Sequence, residues 1–125
     1  MDINDFSTGI DIIEIDRIAR AIDRYGDRFL NKVFTRTEVK YCRSKPRSAQ
    51  HFAARFAAKE AVFKAIGGIE KLWFNQIEII NHPSGQPEVR FIDSEHFKGE
   101  DFRISISHSK DFAAAVAITV SSNQG

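Results

Sequence analysis

The stretch Phe52-Ala53-Ala54-Arg55-Phe56-Ala57-Ala58-Lys59-Glu60-Ala61-Val62-Phe63-Lys64-Ala65-Ile66-Gly67 decides how this chain is to be read. Alanine and its other helix-favouring residues predict one long helix over residues 48–66, stopped at Gly67-Gly68. Apolar residues fall on nearly every side of that helix, so it is expected to be buried. A charge on a buried helix is costly unless it is paired or binds a metal. Glu60 and Lys64 stand one turn apart on one face, at spacing i, i+4. The plain reading is a helix ion pair worth about 0.2–0.5 kcal/mol. The functional reading is a carboxylate that binds a cation, with an ammonium beside it for phosphate. That reading needs a second carboxylate, because Mg²⁺ prefers one or two carboxylates together with phosphate oxygens.

Moving outward, Asp11 in Gly9-Ile10-Asp11-Ile12-Ile13-Glu14 is the candidate. Asp is depleted in strands, so an acidic residue inside this apolar one is unusual. An edge position or a helix cap is the alternative. Toward the C-terminus, Ile104-Ser105-Ile106-Ser107-His108-Ser109 alternates. Ile104, Ile106 and His108 share one face and the serines the other. His108 then stands at the rim of a buried face, either as a histidine capping a turn or as an imidazole near phosphate or nucleophile.

The remaining elements follow from periodicity. Gly9 to Ile13 reads as a strand. Residues 14–25 read as a helix stopped by Gly26, 27–33 as a further helical turn, and 35–43 as a short helix opened by Thr35 and Glu38 as a capping box. Pro46 breaks the chain and Ser48 is the expected cap of the long helix. Ile77–Ile80 and Glu88–Ile92 pair around a Pro/Gly turn, Asp93–Gly99 is read as helical, and Arg103–Ser107 and Phe112–Val120 are strands. Helices gather in the first half and strands in the second, which makes the fold class α+β rather than doubly wound. The 125 residues suit one domain over 1–125, without repeat or linker.

Eighteen basic against 17 acidic residues leave a net charge of +1, which excludes a protein that coats nucleic acid by bulk charge. A single cysteine, Cys42, excludes an intramolecular disulfide. No run approaches the roughly 20 apolar residues that span a bilayer. The acidic N-terminus lacks the basic start of a signal peptide, so the expectation is a soluble, cytoplasmic protein. In the first helix, Arg17, Arg20 and Arg24 form one stripe, and Arg28 extends it if the helix continues past Gly26. The stripe reads as a solvated face or as a dock for an acidic partner helix.

Taken together, Gly9-Ile10-Asp11, then Phe56-Ala57-Ala58-Lys59-Glu60-Ala61-Val62-Phe63-Lys64, then Ser105-Ile106-Ser107-His108-Ser109 resemble the 4′-phosphopantetheinyl transferases, in their small single-domain form. The likeness runs from Gly9 to Val120 and includes Phe34-Thr35-Arg36-Thr37-Glu38 and Gly85-Gln86-Pro87. It implies an antiparallel sheet packed on a long central helix. It also implies an activity: moving the 4′-phosphopantetheine arm of coenzyme A onto a serine of apo acyl-carrier protein, in support of fatty acid biosynthesis. By the same resemblance, Asp11 and Glu60 hold Mg²⁺ and Lys64 reaches the phosphates. Lys59 and Gly67 touch the nucleotide, Lys59 at the 3′-phosphate, while His108 meets phosphate or pantetheine. Arg17 and Arg24, with Arg20 and Arg28 by pattern, dock the acidic carrier protein. The assembly is a homotrimer with sites between subunits. Three other readings compete. One is a Mg²⁺-dependent nucleotide hydrolase, which the arginine stripe and the lack of a second acidic cluster disfavour. Another is a non-catalytic binding module, which intact motifs disfavour. The last is a nucleic-acid binder, disfavoured because no aromatic platform flanks the stripe.

Overall fold

Strand β1 (Phe6–Glu14) alternates, but with its polarity inverted: Gly9, Asp11 and Ile13 face inward while Thr8, Ile10 and Ile12 face out. The computed structural model describes residues 2–67 and 72–120. After β1 come α1 (Ile15–Tyr25), α2 (Asp27–Val33), α3 (Arg36–Arg43) and α4 (Ser48–Ala65). The hairpin β2 (Ile77–Asn81) and β3 (Pro87–Phe91) follows, then β4 (Phe102–His108) and β5 (Phe112–Val120).

Strand β5 is the centre of a three-stranded antiparallel sheet of order β1-β5-β4. One face of that sheet lies on α4. The contact is close because its residues are small: Ala113, Ala115 and Ala117 of β5 are buried against an alanine-rich helix. At Gly9 the approach is closest, where a Cβ would overlap the carbonyl oxygen of Ala61 and sit 2.7 Å from the Ala65 nitrogen. Only glycine permits β1 to run this near the helix backbone.

Helix α4 has buried residues all round, as its composition predicts, with α1, α3 and β2 covering the sides the sheet leaves. The capping box that opens α3 is present: Glu38 N donates to Thr35 Oγ1 and Thr35 N to Glu38 Oε1. Gly26 at φ +57 separates α1 from α2, so Arg28 belongs to a different helix and the continuous arginine stripe ends at Arg24.

Strands β2 and β3 pair with each other as a separate antiparallel hairpin, and β3 packs against β4. Two expectations are corrected. Of the expected helix Asp93–Gly99 only Gly99 is helical, as the first residue of the 3₁₀ turn Gly99–Asp101; Asp93 turns the chain at φ +55. Ser48 does not cap α4. It is the first helical residue, and Arg47 stands in the cap position at φ +50. Among the described residues no helix is long and apolar enough to cross a membrane.

Candidate active site

The inward side of β1 brings Asp11 to the helix that carries Glu60 and Lys64. Asp11 is largely covered, and Lys64 Nζ stands 3.3 Å from its Oδ1. The same ammonium donates to the Ile10 carbonyl at 3.0 Å, across the free edge of the sheet. Glu60 shares with Asp11 a groove of about 380 Å³ between α1, β1 and α4, whose walls include Arg17, Tyr25, Phe29 and Phe56. Burial pushes the Glu60 carboxyl above the usual carboxylate range, and the Asp11 charge pushes the same way; Lys64 and Arg17 oppose them. Two carboxylates that repel each other at the head of a groove are poised for a cation or a proton.

The donor chemistry fits Mg²⁺. Both donors are carboxylate oxygens, and no group of three or more His, Cys, Asp or Glu side chains gathers among the described residues. Two carboxylates leave room for the water and phosphate oxygens that Mg²⁺ keeps.

Lys59 is a correction. Its side chain is 0% exposed, paired with Glu38 at 2.7 Å, and it donates to the carbonyls of Phe74, at 3.0 Å, and Ile77. Lying about 100° around α4 from Glu60, it points into the core and has no access to a nucleotide. Gly67 is exposed beside a separate groove shared with Ser7, His96 and Lys98. Residues 68–71, next to it in the expected nucleotide border, lie outside the described residues.

His108 is exposed at the end of β4, 3.0 Å from the Gln50 side chain. It is not beside Asp11. Asp11 faces Ala115, Ala115 faces Ile106, and His108 is two residues further on. Two strand spacings and two residues make the separation about 12 Å. His108 belongs instead to a cationic group at the start of α4 that sequence reading missed. Arg55 stacks 4.2 Å from the Tyr41 ring centroid, Lys45 stands 4.9 Å from it, and His51 meets the ring edge-on. Burial lowers the His51 pKa first, and the charges of Arg55, Lys45 and His108 lower it further. Arg55 is buried, and its Nε has no hydrogen-bond partner among the described residues. The signal available in the sequence was His51 and Arg55 at i, i+4, preceded by Lys45 and Arg47.

Arg17, Arg20, Arg24 and Arg28 are all exposed. Arg20 is tied to Asp16 at 2.7 Å and Arg24 leans on Tyr25, whereas Arg17 borders the Glu60 groove.

An antiparallel sheet laid on a buried helix that presents Glu60 and Lys64 to a strand aspartate defines a class. The 4′-phosphopantetheinyl transferase superfamily model matches residues 7–117, and the chain belongs to that family. Within it the chain groups with holo-[acyl-carrier-protein] synthases. One from Chlamydia muridarum is 50% identical over 122 residues, covering 94% of this chain and 97% of the relative. One from Koribacter versatilis is 42% identical over 118 residues, covering 89% and 94%. The crystal structure of a Bacillus anthracis holo-(acyl-carrier-protein) synthase in complex with CoA (3′,5′-ADP) superposes with a TM-score of 0.76 at 38% identity, covering 93% of this chain and 96% of that one. The Helicobacter pylori synthase in complex with coenzyme A gives 0.76 at 34% identity, covering 91% and 99%.

Proposed function

We propose that this chain transfers the 4′-phosphopantetheine group of coenzyme A to a serine of apo acyl-carrier protein, in a Mg²⁺-dependent reaction that serves fatty acid biosynthesis in the cytoplasm. The observation that carries the reading is the pair Asp11 and Glu60 in a groove walled by Arg17 and three aromatic residues, with Lys64 on the far side of Asp11 at 3.3 Å. Family membership and the coenzyme A complexes of relatives support the same donor.

In the reaction a bond forms between the serine Oγ and the phosphorus that bears pantetheine, and the serine hydroxyl proton passes to a carboxylate or to water. The bond from that phosphorus to the pyrophosphate bridging oxygen breaks, and adenosine 3′,5′-bisphosphate leaves. Such a transfer depends on positioning and charge neutralisation. Asp11 and Glu60 would hold Mg²⁺, which when bound offsets the pyrophosphate charge. Lys64 lies within reach of the same phosphates and is suited to stabilise the departing oxygen. Arg17, and Arg24 about two turns further along the same stripe, offer charge to an acidic carrier protein beside the groove.

The basic pair Lys45 and Arg55, with the imidazoles of His51 and His108 beside it, is suited to the remaining phosphate of the nucleotide. Along α4, Arg55 lies about 7.5 Å and His51 about 13.5 Å from Glu60. By the family resemblance, the cations of one copy would serve a coenzyme A whose pyrophosphate meets the carboxylates of another. The outward face of the sheet supports that assembly, with Ile10 69% and Ile12 66% exposed next to Phe112 and Ile118. An apolar face of this kind calls for a partner, and a homotrimer with shared sites is the arrangement we infer.

Apo acyl-carrier protein incubated with the protein, coenzyme A and Mg²⁺ is expected to gain one phosphopantetheine mass by mass spectrometry. An unchanged mass overturns the reading. Light scattering that returns a monomer overturns the shared site.

A further inference from the structure

Helix α4 carries apolar residues on all sides, and most of them are alanine: 49, 53, 54, 57, 58, 61 and 65. Apolar residues on every side give the helix no single hydrophobic stripe to fix its rotation. The close fit of Gly9 on Ala61 and the large side chains Phe52, Phe56, Val62 and Phe63 limit that rotation. Glu60 is useful at only one rotation, the one that aims it at Asp11, and directional contacts can fix it further.

Lys59 supplies directional contacts, on the side away from the groove. Its ammonium meets Glu38 of α3 at 2.7 Å and the carbonyls of Phe74 and Ile77, which precede and open β2. Glu38 is fixed in turn, accepting from Thr35 N at 2.9 Å and from Ile79 N at 2.7 Å. Thr35 also donates to the buried Glu78, at 2.6 Å. One ammonium thus ties α4 to α3 and to the β2 hairpin, with every bond at a set angle.

We infer that the buried Lys59–Glu38 pair sets the rotation of α4 and so positions Glu60 against Asp11. It acts through Glu60 and touches no substrate. Buried ion pairs often add little stability compared with apolar replacements, but they can select one arrangement among several. The inference rests on the transferase reading above.

The test is the double variant Lys59→Met/Glu38→Gln, with Lys59→Arg and Glu38→Gln as milder companions. Circular dichroism and urea unfolding establish folding. Steady-state kinetics with coenzyme A and apo carrier protein separate kcat from KM, and electron paramagnetic resonance reads the affinity for Mn²⁺. We expect the folded double variant to lose about tenfold or more in kcat, since a misplacement near 1 Å can cost about 100-fold. KM values are expected to change less than kcat, Mn²⁺ affinity to weaken, and Lys59→Arg to recover part of the kcat. If the double variant does not fold, the same kcat-selective loss in folded Glu38→Gln carries the test. Wild-type kcat and Mn²⁺ affinity in a folded variant overturn the inference alone. A wild-type protein that transfers nothing overturns the functional reading and the inference with it.

Discussion

Lys59 and Glu60 are neighbours in the chain and opposites in circumstance. Lys59 is wholly buried, and its charge is met by a carboxylate and two carbonyls. Glu60 is only partly covered, and the nearest strong influences on it are burial and a second carboxylate, both of which disfavour its charge. Burial disfavours both charges, lowering the Lys59 pKa and raising that of Glu60; the difference is that the Lys59 ammonium has its ion pair and hydrogen bonds, and Glu60 is left without such a partner among the described residues. Groups left in that state are where a protein binds ions or moves protons. Burial alone therefore does not mark a functional residue on this helix; the unmet charge does.

Substituting the satisfied side should damage folding, and substituting the unsatisfied side should damage activity. Glu38→Ala leaves the Lys59 charge buried without its carboxylate, and a loss of about 3–5 kcal/mol in urea denaturation is expected. A loss below 1 kcal/mol would show that the pair is not the tightly coupled contact described here.

Glu60→Gln should lower the transfer rate by on the order of 100-fold. It should also raise the Tm of the ligand-free protein at neutral pH. Because the folded-state pKa of Glu60 lies above its unfolded value, the folded protein holds this proton more tightly than the unfolded chain does. The ionised carboxylate therefore lowers stability at neutral pH, and the deficit disappears as pH falls through the raised value. The Tm gain from glutamine should shrink over the same interval and be absent below about pH 4.3. A gain that persists in acid would assign it to some other cause.

Gly9→Ala tests how the two sides are held together. The added methyl meets the Ala61 carbonyl, a backbone atom that cannot swing aside. Overpacking of this kind costs about 1–3 kcal/mol, and the displaced strand carries Asp11 with it. Thermal unfolding and the transfer assay should both register the change, and a variant unchanged in both would place β1 further from α4 than described.

A smaller effect is expected at the groove rim. Arg17→Glu should raise the carrier-protein KM about tenfold, equivalent to about 1.4 kcal/mol, with the coenzyme A KM nearly unchanged. Equal loss of both would remove Arg17 from docking. Cys42, on the buried side, has its thiol pushed up to about 12 by burial and is closed to solvent. A thiol-specific reagent should label it only on unfolding, with no effect on the native enzyme, because the thiolate is the reactive form. Rapid labelling of the native protein would contradict the closed core.

The elements of the fold were legible in the chain because each rests on local chemistry. Alanine-rich sequence made α4, Thr35 and Glu38 made the cap of α3, and alternation made β4 and β5. The metal-site candidates were legible because Asp in an apolar strand and Glu on a buried helix are both out of place, and oddities of that kind survive without coordinates. What sequence could not supply was direction. Lys59 and Glu60 stand side by side in the same motif, and only the packing of α3 and β2 behind α4 decided which would be a core ion pair. Alternation likewise placed His108 at the rim of a buried face, but only the strand order β1-β5-β4 set it about 12 Å from Asp11. The basic group around Tyr41 lies within residues 41–55, but only the packing of α3 on α4 turns Lys45, His51 and Arg55 onto one ring and brings His108 near them from a strand end. Local propensity and periodicity are properties of neighbouring residues, and the chain alone determines them. Which charges meet a partner and which remain exposed to a ligand is a property of residues far apart in sequence, and only the tertiary structure decided it.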